Sequence, residues 1–170
     1  PQAGFRWQEV KRKGIDIVFA VDTSKSMLAQ DVNPDRLTRA KLAVADLVEK
    51  LEGDRVGLIA FAGSSFLQSP LTLDYDAFRQ SLDALDTSII PLGGTNIAAG
   101  IHEAEEAFAL GGQNHKILVI LTDGEDLEAN GLAAAREAAK NGMKILSNIS
   151  SGIPAPLSAT FSTVRFEEAR

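Results

Sequence analysis

The sequence predicts an α/β fold in which a doubly wound, mostly parallel sheet carries helices on both faces. Short, almost wholly apolar segments rich in β-branched residues alternate along the chain with amphipathic helical segments. The apolar segments lack the polar–apolar alternation of a strand with one face in water, so we expect them to be buried strands. Strands that alternate with helices are typical of a parallel sheet covered on both sides.

The first half of the chain contains three predicted strands and one helix. Residues 15–21 form the first buried strand, and residues 56–62 form the second. Asn33 and Pro34 are expected to begin the intervening helix as its N-cap and first helical residue. The short segment 65–68 follows the second strand so closely that we expect it to be an antiparallel neighbour at one edge of the sheet.

The second half of the chain continues the alternation. Helices are predicted at residues 74–85, 96–110 and 133–141, from apolar residues that recur at helical spacing. The remaining buried strands are predicted at residues 116–121 and 143–147. All the elements up to this point fit one domain, and no internal repeat or interdomain linker divides them.

The composition limits the classes of function. A chain of 170 residues is long enough for a substantial core, and its formal net charge of −6 argues against nucleic acid as a partner. The chain has no cysteine, which excludes disulfides and thiolate metal sites. No apolar run approaches the ~18 residues that a membrane-spanning helix needs. The chain starts at Pro1 without an initiator methionine, so we expect a domain excised from a longer protein.

Oxygen-bearing side chains collect in three loops that follow predicted strands or open a helix. In chain order the candidates are Asp22, Ser24, Ser26, Thr95 and Asp123. In open α/β sheets, ligands bind beyond the carboxyl ends of the strands, where the strand order reverses. Because Ser24 and Ser26 are two residues apart in a curved loop, both hydroxyls can turn toward one point. We therefore expect the three loops to form one site.

The chemistry of this residue set favours a hard cation. Carboxylates and hydroxyls, without imidazole or thiolate, are the ligands that magnesium prefers, with manganese(II) and calcium as alternatives. Two carboxylates would neutralise a divalent ion, and hydroxyls add no charge. Magnesium prefers six oxygen ligands, so an open position could accept a carboxylate from another molecule. The pattern predicts a non-catalytic site that holds an Asp or Glu of a protein partner through the metal.

The motifs match a known family. "DTSKS", "GGTNI" and "LTDGED" occur in this order, each after the expected element, and resemble the von Willebrand factor A (vWA) domain with its metal-ion-dependent adhesion site. The resemblance implies a Rossmann-like fold in which Ser24, Ser26 and Thr95 coordinate the metal directly. It also implies that Asp22 and Asp123 lie nearby and often bind through water.

Longer segments are similar to the membrane-anchored bacterial vWA proteins of the aerotolerance (Bat) type. They are "GIDIVFAVDTSKSMLAQDVNPDRLTRAK", "GDRVGLIAFAGSSFLQSPLTLDYDAF" and "IIPLGGTNI". The similarity implies an extracytoplasmic, periplasmic vWA domain between membrane helices. It also implies MoxR-type AAA+ ATPases or tetratricopeptide-repeat proteins as partners, because family members tend to be encoded beside them.

The resemblance divides the chain into three parts. Residues 1–14 would follow a removed membrane anchor, residues 15–147 would form the vWA domain, and residues 148–170 would form an atypical tail. Pro154 and Pro156 exclude regular structure around them in the tail. We therefore expect the tail to depart from the usual vWA ending and to leave one edge of the sheet incompletely covered.

Two alternatives stay open. A magnesium-dependent phosphatase of the haloacid-dehalogenase type also places an aspartate after a buried strand, but it usually needs a second aspartate two positions later, where this chain has Ser24. The other alternative is a structural vWA scaffold with a vestigial metal site. A phosphatase assay and a magnesium titration would separate these alternatives from an adhesion-type module.

Overall fold

The structure, a computed structural model, describes residues 14–124 and 129–149, and in these residues five strands form one sheet. The strands are β1 (Ile15–Asp22), β2 (Arg55–Phe61), β3 (Ser65–Thr72), β4 (His115–Thr122) and β5 (Met143–Ile149). Their order across the sheet is β3-β2-β1-β4-β5. The β2–β3 pair is antiparallel and the other pairs are parallel, which confirms the predicted fold class.

Helices cover both faces of the sheet. They are α1 (Arg36–Val48), α2 (Tyr75–Asp83), α3 (Ile97–Ala109) and α4 (Ala129–Lys140), and a short 3₁₀ helix spans Lys25–Leu28. Successive side chains of a strand point to opposite faces, so β1 contributes residues to the hydrophobic core on each face of the sheet. Phe19 and Val21 pack with residues of α1 and α2, whereas Val18 and Ala20 pack with residues of α3 and α4.

The central position of β1 explains its apolar sequence. Val18 and Val21 are fully buried, and neighbouring strands pair with β1 along both edges. On the face covered by α2, the rings of Phe19 and Phe78 lie with their centroids 5.8 Å apart. Burying one such aromatic side chain contributes about 1.5–3 kcal/mol to the free energy of unfolding. This core holds the carboxyl end of β1 in a fixed position.

A buried ion pair lies at the amino end of the sheet. Asp16 is fully buried, and its two carboxylate oxygens accept hydrogen bonds from Arg55 Nε (2.9 Å) and Arg55 Nη2 (2.7 Å). Asn114 donates a further hydrogen bond to Asp16, and Arg55 also donates to the Gly111 carbonyl oxygen. These contacts tie β1 and β2 to the segment between α3 and β4.

The predicted start of the first helix is wrong. The helix begins at Arg36, and Asp35 is its N-cap, with its carboxylate accepting from the backbone N–H (2.8 Å) and the hydroxyl (2.8 Å) of Thr38. Asn33 and Pro34 precede this cap and are joined by a cis peptide bond. Asp35 is a better cap than Asn33, because its carboxylate accepts two hydrogen bonds from Thr38 in the first turn of the helix.

The edge strand is longer than predicted. β3 runs through Pro70 to Thr72, whereas the sequence pattern predicted an end near residue 68. A proline is tolerated in a strand at the edge of a sheet, because its missing N–H need not pair with a neighbour. The pairing of β3 with β2 also contains two register shifts, between Val56 and Ile59.

Several predictions lie outside the described residues. They concern the tail beyond Ile149, which includes Pro154 and Pro156, and residues 1–13 before β1. Within the described ranges, no helix combines the length and the apolar character that crossing a bilayer requires.

Candidate metal site

The topology brings two loops together at one end of the sheet. From β1 the chain passes to β2 on one side, and after β3 it crosses to β4 on the other side. The strand order therefore reverses between β1 and β4, and a crevice forms at their carboxyl ends. Asp22 is the last residue of β1, and Asp123 follows directly after β4. These two predicted site residues thus emerge on either side of the reversal point.

Asp22 holds the loop that follows β1 in place. It is fully buried, and its Oδ1 accepts a 2.8 Å hydrogen bond from the backbone N–H of Ser24. Its Oδ2 accepts a 2.7 Å hydrogen bond from the hydroxyl of Thr122. Burial raises the pKa of Asp22 above its ordinary value; the hydrogen bonds from Thr122 and Ser24 oppose this effect, and the charge of Asp123 adds to it. Asp22 therefore orients the loop and joins β1 to β4.

The two serine hydroxyls converge, as their spacing predicts. Ser24 Oγ and Ser26 Oγ lie 2.9 Å apart. The chain between them enters the 3₁₀ helix, in which Met27 N–H donates to the Ser24 carbonyl oxygen and the Met27 side chain is buried in the core. Lys25, between the two serines, is exposed. The loop thus holds two neutral hydroxyl oxygens within hydrogen-bond distance of each other.

Thr95 lies at the same end of the sheet, above β2. Asn96 N–H donates to the Ala62 carbonyl oxygen (2.6 Å), which anchors the loop to the residue after β2. Gly63 allows this close approach, because a Cβ there would overlap the Gly93 carbonyl oxygen. Thr95 is buried, and the Asn96 side chain caps α3 by accepting a hydrogen bond from the backbone N–H of Ala99. Since β2 is the direct neighbour of β1, the loop that carries Thr95 is anchored next to the serine loop.

Asp123 has a partner that the sequence interpretation missed. Its side chain is fully buried, and its Oδ2 lies 3.0 Å from Nη1 of Arg36. Arg36 also donates from Nε and Nη2 to the two carboxylate oxygens of Asp31, both at 2.9 Å. The carboxylate of Asp31, with a further contribution from Asp123, raises the pKa of Arg36, and the guanidinium in turn lowers the pKa of Asp31. The site therefore contains a fixed positive charge beside its second carboxylate.

Hydrogen bonds join three of the five predicted site residues directly. Asp22, Ser24 and Ser26 form one hydrogen-bonded chain, and Thr122 connects that chain to the start of the Asp123 loop. Thr95 lies at the same end of the sheet, where the N–H of the next residue, Asn96, bonds to the Ala62 carbonyl oxygen after β2. Their roles as metal ligands stay a prediction.

The donor set fits a hard cation. It consists of two carboxylates and three hydroxyls, all oxygen, at the carboxyl end of a parallel sheet. In the part of the chain that the structure describes, no group of three or more His, Cys, Asp or Glu side chains could hold a metal ion. A cation bound at this edge would therefore depend on the neutral Ser and Thr oxygens as much as on charge.

Comparison with known proteins identifies the family. A family model of the von Willebrand factor type A domain matches residues 17–125, which is more than half of the chain. The chain belongs to this family. The matched region contains all five predicted site residues of the vWA domain, together with Arg36 and Thr122.

Solved structures extend the similarity to Bat-type proteins. The vWA domain is 38% identical to the conserved hypothetical protein BatB from Bacteroides thetaiotaomicron, with a TM-score of 0.76, over 79% of this chain and 65% of that chain. It is 39% identical to an aerotolerance-related membrane protein from Bacteroides fragilis, with a TM-score of 0.75, over 79% of this chain and 66% of that chain. The predicted resemblance to Bat-type vWA proteins is therefore confirmed.

Curated relatives are longer than this chain. A UPF0353 protein of Nocardia farcinica is 31% identical in an alignment of 160 positions that covers 85% of this chain and 47% of that protein. The vWA domain thus spans less than half the length of this curated relative.

Proposed function

We propose that this vWA domain is a magnesium-dependent interaction module that binds a carboxylate of a partner protein through the metal ion. The observation that carries the proposal is the 2.9 Å contact between the Ser24 and Ser26 hydroxyls, in a loop that Asp22 holds at the reversal point of the sheet. The two hydroxyls offer oxygens from one side, and Asp123 lies beyond Thr122 on the other strand.

In this proposal, Ser24, Ser26 and Thr95 coordinate the ion directly. Asp22 and Asp123 lie close to the ion and bind it through water. Both oxygens of Asp22 already accept hydrogen bonds from the protein, which favours a role through water and through its charge. When bound, magnesium would supply a positive centre with a position for a ligand oxygen. Neutral direct ligands would leave that centre electrophilic enough to attract a partner's Asp or Glu.

The same contacts disfavour a phosphatase. A nucleophilic aspartate must present a free oxygen to the phosphorus atom, but Asp22 is fully buried and uses both oxygens within the protein. The neighbouring acid that such chemistry usually needs is replaced by Ser24. These observations support a binding module rather than an enzyme.

The cellular setting is part of the proposal. A structural relative, the Bacteroides fragilis protein, is described as an aerotolerance-related membrane protein. By resemblance, we propose that this domain lies on the extracytoplasmic side of a bacterial membrane between flanking anchors. MoxR-type AAA+ ATPases and tetratricopeptide-repeat proteins are then candidate partners. Protease accessibility of the domain in intact spheroplasts of a cell that carries the full-length protein would test this orientation.

A titration with a defined probe tests the binding mode. A glutamate-containing peptide and its glutamine counterpart would be added to the ¹⁵N-labelled domain with magnesium or with chelator. The proposal predicts amide shifts in the Ser24 and Thr95 loops only for the glutamate peptide with magnesium. Equal shifts without magnesium, or magnesium-dependent hydrolysis of an aryl phosphate that Asp22→Asn abolishes, would contradict it.

A further inference from the structure

Arg36 lies between two carboxylates that belong to different parts of the domain. On one side it donates two hydrogen bonds to Asp31, whose side chain is 52% exposed. On the other side it contacts Asp123, whose side chain is completely buried, at 3.0 Å. The whole Arg36 side chain is only 16% exposed. Its charge is therefore held inside the rim of the candidate site and is poorly screened by water.

The position of Arg36 in its helix indicates that these carboxylates hold it. Arg36 is the first residue of α1, and a cation is disfavoured at the amino end of a helix by the helix dipole. The capping contacts at this end come from Asp35, so Arg36 takes no part in them. A planar guanidinium can pair with two carboxylates at once, which a lysine ammonium does less well.

We propose that Arg36 sets the metal affinity of the site by competing with the divalent cation for Asp123. The inference rests on the proposed function, because it presumes that Asp123 contributes to a metal site. A bound cation and the guanidinium would share one buried carboxylate and would repel each other. Asp31, which holds the guanidinium through two hydrogen bonds, keeps this competitor in place. Arg36 thereby weakens magnesium binding and makes it more dependent on the incoming carboxylate of a partner.

Calorimetric titration of the 170-residue chain with magnesium chloride tests this inference. Arg36→Gln removes the charge, and we expect its magnesium Kd to fall on the order of tenfold relative to the unmodified chain. Arg36→Lys keeps the charge but loses the planar guanidinium that pairs with both carboxylates. Its magnesium Kd should therefore also fall, but by less than that of Arg36→Gln. Arg39→Gln is the matched control, because Arg39 is an exposed arginine of the same helix and the change in net charge is the same.

The outcomes separate the inference from the proposed function. Tighter binding by Arg36→Gln than by Arg39→Gln supports the inference. If the unmodified chain binds magnesium and Arg36→Gln binds no more tightly, Arg36 only positions Asp123 and the inference fails alone. If none of the chains binds magnesium at millimolar concentration, the proposed function fails with it. Should Arg36→Gln not fold, the Arg36→Lys titration decides, and an unchanged or weaker affinity overturns the inference.

Discussion

The hydroxyl of Thr122 donates a 2.7 Å hydrogen bond to Oδ2 of Asp22, and this contact joins the carboxyl ends of β1 and β4. The two residues are 100 positions apart in the chain. Because the strand order reverses between these strands, the hydrogen bond crosses the place where the candidate site forms. The bond keeps the first carboxylate of the site fixed relative to the loop that carries the second.

Thr122→Val is expected to destabilise the domain. The substitution keeps the shape of the side chain but removes a hydrogen bond to a buried carboxylate, which costs about 1–3 kcal/mol. Urea unfolding at neutral pH would measure the loss. Thr122→Ser retains the hydroxyl and should lie much closer to the unmodified chain. Equal stability of the Val and Ser variants would show that the hydrogen bond contributes little.

The capping carboxylate of α1 predicts a pH dependence. Hydrogen bonds, chiefly from the Thr38 backbone N–H, lower the pKa of Asp35 below its ordinary value of 3.8. The folded state therefore binds this proton less readily than the unfolded state, so the charged cap stabilises above pH 3.8 and loses that contribution as pH falls through the lowered pKa.

Asp35→Ala should cost about 1 kcal/mol at neutral pH, which is typical of a lost N-cap. The cost should shrink in acid, since protonation weakens the cap of the unmodified chain as well. Guanidinium unfolding at pH 7 and near pH 3 would measure both values. A cost that is the same at both pH values would contradict the charged-cap interpretation. Asn33→Ala is the control, and we expect it to have little effect because Asn33 lies before the cap.

The buried pair Asp16–Arg55 should stabilise the fold without affecting the metal site. Arg55→Met leaves a buried carboxylate without its cation, which typically costs about 3–5 kcal/mol. Arg79→Met is the control, because the ion pairs of Arg79 with Glu49 (3.6 Å) and Asp76 (3.8 Å) lie at the surface, where such pairs contribute about 0–1 kcal/mol. Thermal unfolding would compare the two variants. If the Arg55 variant also changed the magnesium Kd, the two ends of the sheet would be coupled, contrary to this account.

Gly63 and Gly93 offer a matched pair of substitutions near Thr95. A Cβ at Gly63 would overlap the Gly93 carbonyl oxygen, whereas a Cβ at Gly93 would meet no atom within 4 Å. Gly63→Ala should therefore displace the Thr95 loop and weaken magnesium binding, and Gly93→Ala should leave binding close to that of the unmodified chain. Calorimetry with magnesium would compare them. Equal affinities would mean that the Thr95 loop does not contribute to the site.

The sequence predicted the elements that depend on local pattern. The apolar run that begins at Ile15 indicated a strand buried on both faces, and the structure places it in the centre of the sheet. The two-residue spacing of Ser24 and Ser26 indicated convergent hydroxyls, which lie 2.9 Å apart. These features follow from side-chain burial and from short loops, so nearby residues are enough to predict them.

The sequence did not reveal contacts between distant segments. Arg36 and Asp123 are 87 residues apart, and no periodicity links them. The one available signal was a cation at the first position of a helix, where the dipole disfavours it. The predicted helix start at Asn33 and Pro34 instead places Arg36 at the third helical position. The Thr122 hydroxyl was missed for a similar reason, since its partner Asp22 lies on another strand.

The most direct test of the central claim is thermal unfolding with millimolar magnesium or with chelator, for the unmodified chain and for Ser26→Ala. A ligand that binds only the folded state stabilises it by RT ln(1 + [L]/Kd), about 2.7 kcal/mol at a hundredfold excess over Kd. The account predicts that magnesium raises the Tm of the unmodified chain, and that Ser26→Ala folds normally but loses most of this gain. Identical Tm values with magnesium and with chelator for both chains would contradict the proposed metal-dependent function.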